Sequence, residues 1–221
     1  PKTDPAVVEF FMDYGSKVLG KSTVLCKDTP AFIANRVGVY AIQDLFHTVT
    51  KMGMTVEEID KLTGPVMGRP KSATFRTCDV VGLDTLVHVA NGVKDNCPND
   101  ERSEVFEIPS FVSKMVENKW LGSKTGQGFF KKTVNAEGDK EILVLDLDTM
   151  EYRSKNRVKF ATLDAAKLES DLGKRTKILF GGKDKAGEFY RSVFTGVFQY
   201  VTNRIPEISD ELYRIDDALR A

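Results

Sequence analysis

The chain has 221 residues, of which 41% are hydrophobic and 29% charged, enough for a packed core beneath a polar surface. Lysine plus arginine and aspartate plus glutamate both number 32, so the formal net charge is zero. That balance argues against a protein that mainly binds nucleic acid or an anionic membrane, although a local basic patch for a phosphate-bearing ligand stays compatible with it. No apolar run approaches the roughly 20 residues of a membrane-spanning helix, so we predict no membrane span.

The three cysteines, Cys26, Cys78 and Cys97, are widely spaced and form no C-x-x-C pair. An odd, scattered set favours neither a disulfide framework nor a zinc site, so we predict no bound metal and a reducing, cytoplasmic location. The chain opens at Pro1 rather than at a methionine. We therefore expect it to be a piece of a longer protein.

Apolar residues at helical spacing predict that most of the chain is helix, beginning with residues 4–19. Thr29 is predicted to cap the next helix, and Pro30 to occupy its first position, where a missing N–H costs nothing. The apolar stripe of this long helix starts at Ile33, and the helix is predicted to end at Gly53.

Shorter helices are predicted to follow the long one. Thr55 and Glu58 have the spacing of a capping box. Residues 72–132 predict three short helices, with Asp84 as the N-cap of one and Pro109 opening another.

The hydrophobic period changes after the glycine-rich segment 121–130, which we expect to be irregular. Residues 141–153 predict a β-hairpin that turns at residues 148–149. Helix returns after residue 163, and a further long helix is predicted from Asp184 to Asn203. Three leucines are predicted to share one face of the returning helix: Leu168, Leu172 and Leu179.

Two parts of the sequence resemble each other. Residues 36–60 and 191–216 each begin with an arginine, continue as a helix and end in a short motif, T-V-E-E-I-D in the first and D-E-L-Y-R-I-D in the second. We therefore predict a mainly α fold with tandem copies of one helical module. The predicted units are a helical domain over 1–132, a β-hairpin linker over 133–162 and a truncated second copy over 163–221.

Few residues suggest chemistry by themselves. His47 and His88 have no partner at the spacing of a catalytic triad or a metal site, which favours an ordinary helix-surface role. The segment G-S-K-T-G-Q-G at 122–128 lacks the order of a phosphate-binding loop. Asn35 lies among apolar neighbours near the start of the long helix, where a buried amide is either a structural tie or a ligand contact. The residues alone favour the structural tie.

Four segments, in order, resemble the C-terminal domain of the 3-hydroxyacyl-CoA dehydrogenase family. They are D-T-P-A-F-I-A-N-R at 28–36, E-I-D at 58–60, V-V-G-L-D at 80–84 and L-G-S-K-T-G-Q-G-F-F at 121–130. Residues 204–217 resemble the second C-terminal copy of long, multifunctional β-oxidation members, which include fusions with an enoyl-CoA hydratase.

The resemblance implies a helical-bundle domain of an enzyme that oxidises 3-hydroxyacyl-CoA to 3-oxoacyl-CoA with NAD, in fatty acid β-oxidation. The family's catalytic-site asparagine maps onto Asn35, which is implied to hold the substrate oxygen and the family's catalytic histidine in place. That histidine and its glutamate belong to an NAD-binding domain, and no G-x-G-x-x-G motif occurs here. We therefore expect NAD to be bound mainly by a domain missing from this chain, and the chain alone to be inactive.

The resemblance also bears on assembly. Paired C-terminal domains form the dimer of short family members, so tandem copies could let one chain supply both halves, with helices of 163–203 packed on those of 30–62. A homodimer also stays open. The position that matches Asn35 in the second copy is about Tyr190, which implies a structural copy. The sequence departs from the family at two places: the loop at 66–71 differs from the usual P-M-G-P-F-E, and Ala31 replaces a usual glycine. Because of the changed loop, the acyl-chain preference stays open.

Two other functions remain open at this point. The chain could be a purely structural assembly module of a multifunctional enzyme, or the helical domain of a related dehydrogenase that acts on other hydroxy acids. The K-T-G-Q-G-F segment at 124–129 argues against the second. Asn35 distinguishes the structural module from a dehydrogenase part, because a structural module has no reason to leave this amide facing an open cleft.

Overall fold

The computed structural model describes residues 2–135 and 137–220, which form ten α-helices and a small sheet. The predicted mainly α fold is therefore confirmed. The helices are α1 (Pro5–Asp13), α2 (Ala34–Met52), α3 (Val56–Leu62), α4 (Phe75–Val81), α5 (Leu83–Asn96), α6 (Ser110–Glu117), α7 (Ala161–Ala166), α8 (Leu172–Gly181), α9 (Lys185–Asn203) and α10 (Leu212–Arg220). The strands are β1 (Phe130–Val134), β2 (Lys140–Leu145) and β3 (Tyr152–Arg153). Within the described ranges, no helix combines the length and the apolar character needed to cross a membrane.

Helix α1 lies on the surface of the molecule. It begins after Asp4, whose side chain accepts a hydrogen bond from the Ala6 amide, and continues into a wider π-helical turn at Tyr14–Val18. None of its residues is buried, and Phe10 and Phe11 are each about 60% exposed. The predicted helix is confirmed, but its apolar residues contact solvent rather than the core.

The start of α2 differs from the prediction. Ala31 and Phe32 have φ of 62° and 53°, in the left-handed region, so the right-handed helix cannot include them. The helix instead begins at Ala34, and the Thr29 hydroxyl is buried without a hydrogen-bond partner among the described residues. Thr29 is therefore not the N-cap, and Pro30 is not in the first turn. The predicted end is correct, since Gly53 closes α2 in the left-handed conformation.

The short helices that follow match the predicted pattern. Thr55 and Glu58 form both hydrogen bonds of the capping box at the start of α3. The prediction for Asp84 is wrong, because Gly82 is the N-cap of α5 and the Asp84 carboxylate instead binds the Lys124 ammonium at 2.6 Å. The helix begins at Leu83, so Asp84 lies inside its first turn rather than at its cap.

The predicted hairpin is part of a three-stranded antiparallel sheet in the order β1-β2-β3. Strand β1, which the sequence did not predict, pairs with β2 from Phe130 opposite Val144 to Val134 opposite Lys140. The predicted turn is present, and the Asp146 carboxylate accepts hydrogen bonds from the amides at 148 and 149, each at 3.1 Å. Val144 and Leu145 are fully buried in the main core, so the sheet packs against the first helices.

The helices after the sheet divide differently from the prediction. Helix α7 ends at Ala166, and a new helix, α8, starts after Asp171, whose side chain caps it by accepting from the Lys174 amide. This break removes the predicted leucine face, because Leu168 lies between the helices and is 90% exposed. Helix α9 spans Lys185–Asn203, as predicted, and Asp184 is its N-cap.

The two 19-residue helices, α2 and α9, pack against each other. Tyr40 of α2 stacks on Tyr200 of α9 with ring centroids 3.7 Å apart and planes 2° from parallel. At the start of α2, Ile33 and Val37 form a second apolar cluster with Ile208 and Ile215, which follow α9. The apolar stripe of α2 is thus covered by the last part of the chain.

Candidate functional site

Asn35 lies in the first turn of α2 and is exposed. Its side chain makes no hydrogen bond to any described residue, whereas its neighbours Ile33, Arg36 and Val37 are all buried. The predicted buried tie is therefore not what the structure shows, because a tie would be hydrogen bonded inside the core. The Asn35 amide points away from the core on a turn whose other side chains are anchored.

The anchor next to Asn35 is the fully buried side chain of Arg36. Its Nε donates to the Tyr200 hydroxyl at 2.6 Å, its Nη1 to Cys97 Sγ at 2.8 Å and its Nη2 to Asp100 Oδ2 at 2.7 Å. Tyr200 in turn donates to the same Asp100 oxygen at 2.7 Å. We call Arg36, Cys97, Asp100 and Tyr200 the Arg36 cluster. Sequence reasoning missed it, and the only signal was an arginine in an otherwise apolar helical stripe.

The charges of the Arg36 cluster support one another. Burial alone raises the pKa of the Asp100 carboxyl, but hydrogen bonds from the Arg102 amide, Tyr200 and Arg36, with the nearby Arg204, lower that pKa below its usual value. Burial likewise opposes the charge on Arg36, yet its bonds to Tyr200 and Asp100 raise the pKa of the guanidinium. Both groups therefore stay ionised, and the first turn of α2 is held rigidly against α9.

The second copy has different chemistry at the matching positions. Tyr190 is fully buried, and its hydroxyl donates to the Leu62 carbonyl at 2.7 Å. Arg191, which matches Arg36 in the repeat, is exposed and donates to the carbonyl oxygens of Phe180 and Gly182 at the end of α8. These contacts are structural, and no exposed amide stands at the place of Asn35.

The glycine-rich segment 121–130 docks on a buried carboxylate. Asp79, at the end of α4, is 1% exposed and accepts hydrogen bonds from the amides of Phe129 at 2.8 Å and Phe130 at 2.9 Å. A Cβ at Gly122 or Gly128 would overlap Asp79, so the close approach requires glycine at both places. Burial raises the pKa of Asp79 to about 6. The segment is therefore a structural clasp on Asp79.

The remaining predicted candidates are not brought together. His47 and His88 are both exposed, and His47 Nε2 lies 3.1 Å from the Val105 carbonyl oxygen. Over the described residues no group of three His, Cys, Asp or Glu side chains has the geometry to hold a metal ion, and all three cysteines are free. The histidines thus have the ordinary surface role that the sequence favours.

The described residues contain no parallel strand–turn–helix unit of the kind that commonly holds a dinucleotide. The pyrophosphate of NAD is usually held at a parallel strand–turn–helix unit, whereas the only sheet in the described ranges is antiparallel throughout. The structure therefore assigns no residue of this chain to NAD.

The variant loop at 66–71 lies against the second half of the molecule. Gly68 has φ of +74°, and a Cβ there would lie 3.3 Å from the Leu172 side chain of α8. The loop whose sequence departs from the family's usual pattern therefore contacts α8.

Comparison with known proteins shows which domain family the first half of the chain matches. Residues 32–132 match the family model described as "3-hydroxyacyl-CoA dehydrogenase, C-terminal domain". These residues therefore match the C-terminal domain of that dehydrogenase family, which confirms the resemblance seen in the sequence.

Individual relatives extend the match. A Bacillus subtilis protein named "Probable 3-hydroxyacyl-CoA dehydrogenase" is 44% identical over 219 residues, covering 99% of this chain and 27% of that protein. A Rickettsia felis protein named a fatty acid oxidation complex trifunctional enzyme is 26% identical over 217 residues, covering 97% of this chain and 28% of its own length. The crystal structure of M. tuberculosis FadB2 superposes with a TM-score of 0.51 at 31% identity, covering 59% of this chain and 44% of that chain. The chain thus spans little more than a quarter of the two relatives that match it almost throughout.

Proposed function

We propose that the chain is the substrate-binding and dimerisation part of an NAD-dependent 3-hydroxyacyl-CoA dehydrogenase, which oxidises 3-hydroxyacyl-CoA to 3-oxoacyl-CoA in fatty acid β-oxidation. The match to the dehydrogenase family supports the reaction class. The fatty acid oxidation name of the Rickettsia relative supports the pathway, and its description as trifunctional supports a fused partner activity, which we propose to be an enoyl-CoA hydratase.

The observation that carries the proposal is the exposed, unpartnered amide of Asn35. An amide on a rigid helix turn starts from an ordered backbone, so donating a hydrogen bond to the substrate oxygen costs conformational freedom only in its own short side chain. The Arg36 cluster supplies that rigidity, because three hydrogen bonds fix the residue next to Asn35. Asn35 is accordingly a catalytic residue that orients the substrate and stabilises charge on its oxygen.

The same observation separates this proposal from a purely structural module. A module that only assembled other domains would use Asn35 in packing or hydrogen bonding, and the described residues offer it neither. The alternative would be favoured again if Asn35 could be removed without any effect on turnover.

NAD and the proton-accepting histidine are proposed to be supplied by a dinucleotide-binding domain of a longer protein, in the cytoplasm. We therefore expect the 221-residue chain alone not to form NADH from a 3-hydroxyacyl-CoA. NADH formation by the pure chain would show that the missing-domain argument is wrong.

The test of the site is Asn35→Ala in the full-length enzyme. Loss of one oriented donor at a developing oxyanion is expected to lower kcat by roughly 10²–10³-fold. The matched control is Asn91→Ala on the surface of α5, an equally exposed asparagine that should leave kcat unchanged. Thermal unfolding of both variants should match the parent, and a wild-type kcat for Asn35→Ala would contradict the proposed role.

We further propose that the last three helices cover, within one chain, the surface that a second chain covers in short family members. The packing of α9 on α2 and the hydrogen bond from Tyr190 to Leu62 support this arrangement. An experimental structure of the full-length protein should relate α2–α3 to α9–α10 by a rotation near two-fold. A relation far from two-fold would remove the pseudo-dimer while leaving the family assignment intact.

A further inference from the structure

A large cavity lies between the first helices and the helices that follow the sheet. Its volume is about 1270 Å³, and it is lined by the α3 end, β1, the connection 155–159, α7 and α8. Asn35 is not among the lining residues. The function proposed above therefore leaves this cavity unexplained.

The lining of the cavity is strongly basic in a chain with zero net charge. Nine lysine or arginine side chains line it, against only three carboxylates, those of Glu57, Asp60 and Asp164. The cations come from separate parts of the fold, among them Lys71, Lys132 and Arg157. Convergence of like charges from distant segments is unfavourable unless an anion is bound there, because their mutual repulsion destabilises the folded state.

The three carboxylates form an ion pair with only one of these nine cations, Lys167. The Glu57 carboxylate is 2.7 Å from Arg153 and forms an ion pair with it, and Arg153 does not line the cavity. Asp164 pairs with Lys167 at 2.9 Å. Asp60 accepts hydrogen bonds from the backbone amides of residues 74–76, which start α4. Within the described ranges, Lys155 and Arg157 of the cavity make no ion pair.

A second feature of the cavity is Arg175. Its Nε is buried and has no hydrogen-bond partner among the described residues, although its Nη1 donates to the Glu169 carbonyl at 3.2 Å. A buried, charged N–H without a partner is costly, so an acceptor from a ligand would satisfy it. The lining also contains apolar side chains, including Val66, Ile142 and Leu163, which a purely ionic ligand would not need.

We propose that this cavity binds the nucleotide end of a CoA thioester, that is, its 3′-phosphate and diphosphate on the cations and its adenine on the apolar side chains. The volume exceeds that of a single phosphate many times and lies above the roughly 300–1,000 Å³ of typical small-molecule sites, so it leaves room for a ligand of cofactor size. The choice of CoA rather than another polyphosphate rests on the proposed function, whereas the need for several negative charges rests on the cavity alone.

The test is calorimetric titration of the 221-residue chain with CoA, dephospho-CoA, pantetheine and inorganic pyrophosphate. CoA should bind, dephospho-CoA should bind about tenfold more weakly because it lacks one phosphate, and pantetheine should show no binding. Raising the salt concentration should weaken CoA binding, since exposed charges are screened. No binding of CoA, or pantetheine binding as tightly as CoA, would overturn the proposal, and pyrophosphate matching CoA would overturn the assignment of the nucleotide.

The variant for the titration is Lys155→Glu with Arg157→Glu, both exposed residues of the cavity rim whose change should not impair folding. CoA binding should fall at least tenfold. The charge-matched control is Lys21→Glu with Lys177→Glu, two exposed lysines outside the cavity, and it should bind within twofold of the parent. Equal loss in both variants would show only a general charge effect and would refute the site.

Failure of this proposal and failure of the dehydrogenase proposal give different results. If the full-length protein oxidises no 3-hydroxyacyl-CoA but the chain binds CoA through Lys155 and Arg157, the cavity assignment stands alone. If the full-length protein is active and Asn35→Ala lowers kcat while CoA does not bind the chain, the cavity assignment is wrong and the dehydrogenase proposal stands.

Discussion

Replacing Arg36 with methionine tests whether its buried guanidinium holds the start of α2 against α9. Methionine keeps much of the volume of the arginine stem but removes the hydrogen bonds that Arg36 donates to Asp100, Cys97 and Tyr200. The side chains of Arg36 and Asp100 are 0% and 1% exposed, so Asp100 would be left as a buried carboxylate without its main partner.

Removal of one partner of a buried ion pair costs about 3–5 kcal/mol. Three contacts to Asp100 survive the substitution: the Arg102 amide at 2.9 Å, the Tyr200 hydroxyl at 2.7 Å and Arg204 Nη1 at 3.4 Å. We therefore expect the lower end of that range, a loss of about 3 kcal/mol in the free energy of unfolding. Urea denaturation followed by circular dichroism measures this loss directly.

The matched control is Arg191→Met, which changes the corresponding residue of the second copy. Arg191 is exposed and donates to two carbonyl oxygens, which water can reach once the guanidinium is removed. The free energy of unfolding should therefore fall by only about 1 kcal/mol. In a double-mutant cycle, Arg36→Met and Asp100→Asn should show a coupling of about 1–3 kcal/mol. An Arg36→Met loss no larger than that of Arg191→Met would refute the reasoning.

Three further predictions concern stability. Asp79→Ala should lower the free energy of unfolding by about 2–5 kcal/mol, because it leaves the amides of Phe129 and Phe130 without an acceptor. A loss under about 1 kcal/mol in urea denaturation would contradict the role of Asp79 in holding segment 121–130. Burial raises the pKa of Asp79 to about 6, so the folded state binds its proton more tightly than the unfolded state. The part of its contribution that depends on this proton is therefore full below pH ~4 and is lost as the pH rises through about 6. The difference in unfolding free energy between the parent and Asp79→Asn should show this fall, and a difference that increased over the same interval would reverse the sign of the shift. Thr55→Ala should cost about 1 kcal/mol by removing one half of the capping box, measured as a shift of the urea midpoint, with exposed Thr85→Ala as the neutral comparison.

The role of Asn35 illustrates how far sequence reasoning reached into the candidate site. Periodicity and the family resemblance both selected this residue, yet its apolar neighbours suggested a buried amide, whereas it is exposed. A helix turn presents one residue to solvent between buried ones, and which residue that is depends on where the helix begins. The left-handed residues Ala31 and Phe32 shift that beginning to Ala34, and no turn signal in the sequence announces them.

Local interactions made most helix positions predictable from the sequence by itself. The capping box of Thr55 and Glu58, the glycine end at Gly53 and the cap at Asp184 each act over a few residues, so the residue types alone locate them. The glycines of segment 121–130 likewise predicted an irregular turn, and four short motifs together predicted the family whose C-terminal domain residues 32–132 match.

Only the tertiary structure decided which polar groups meet in the interior. Arg36 and Tyr200 are 164 residues apart in sequence, and Asp79 lies 50 residues from the Phe129 amide that it accepts from. The basic cavity likewise assembles lysines and arginines that look like ordinary surface residues one by one. A buried charge is stable only where hydrogen-bonding partners from distant segments surround it. Those partners come together through the packing of α2 on α9, which no local pattern of residues specifies.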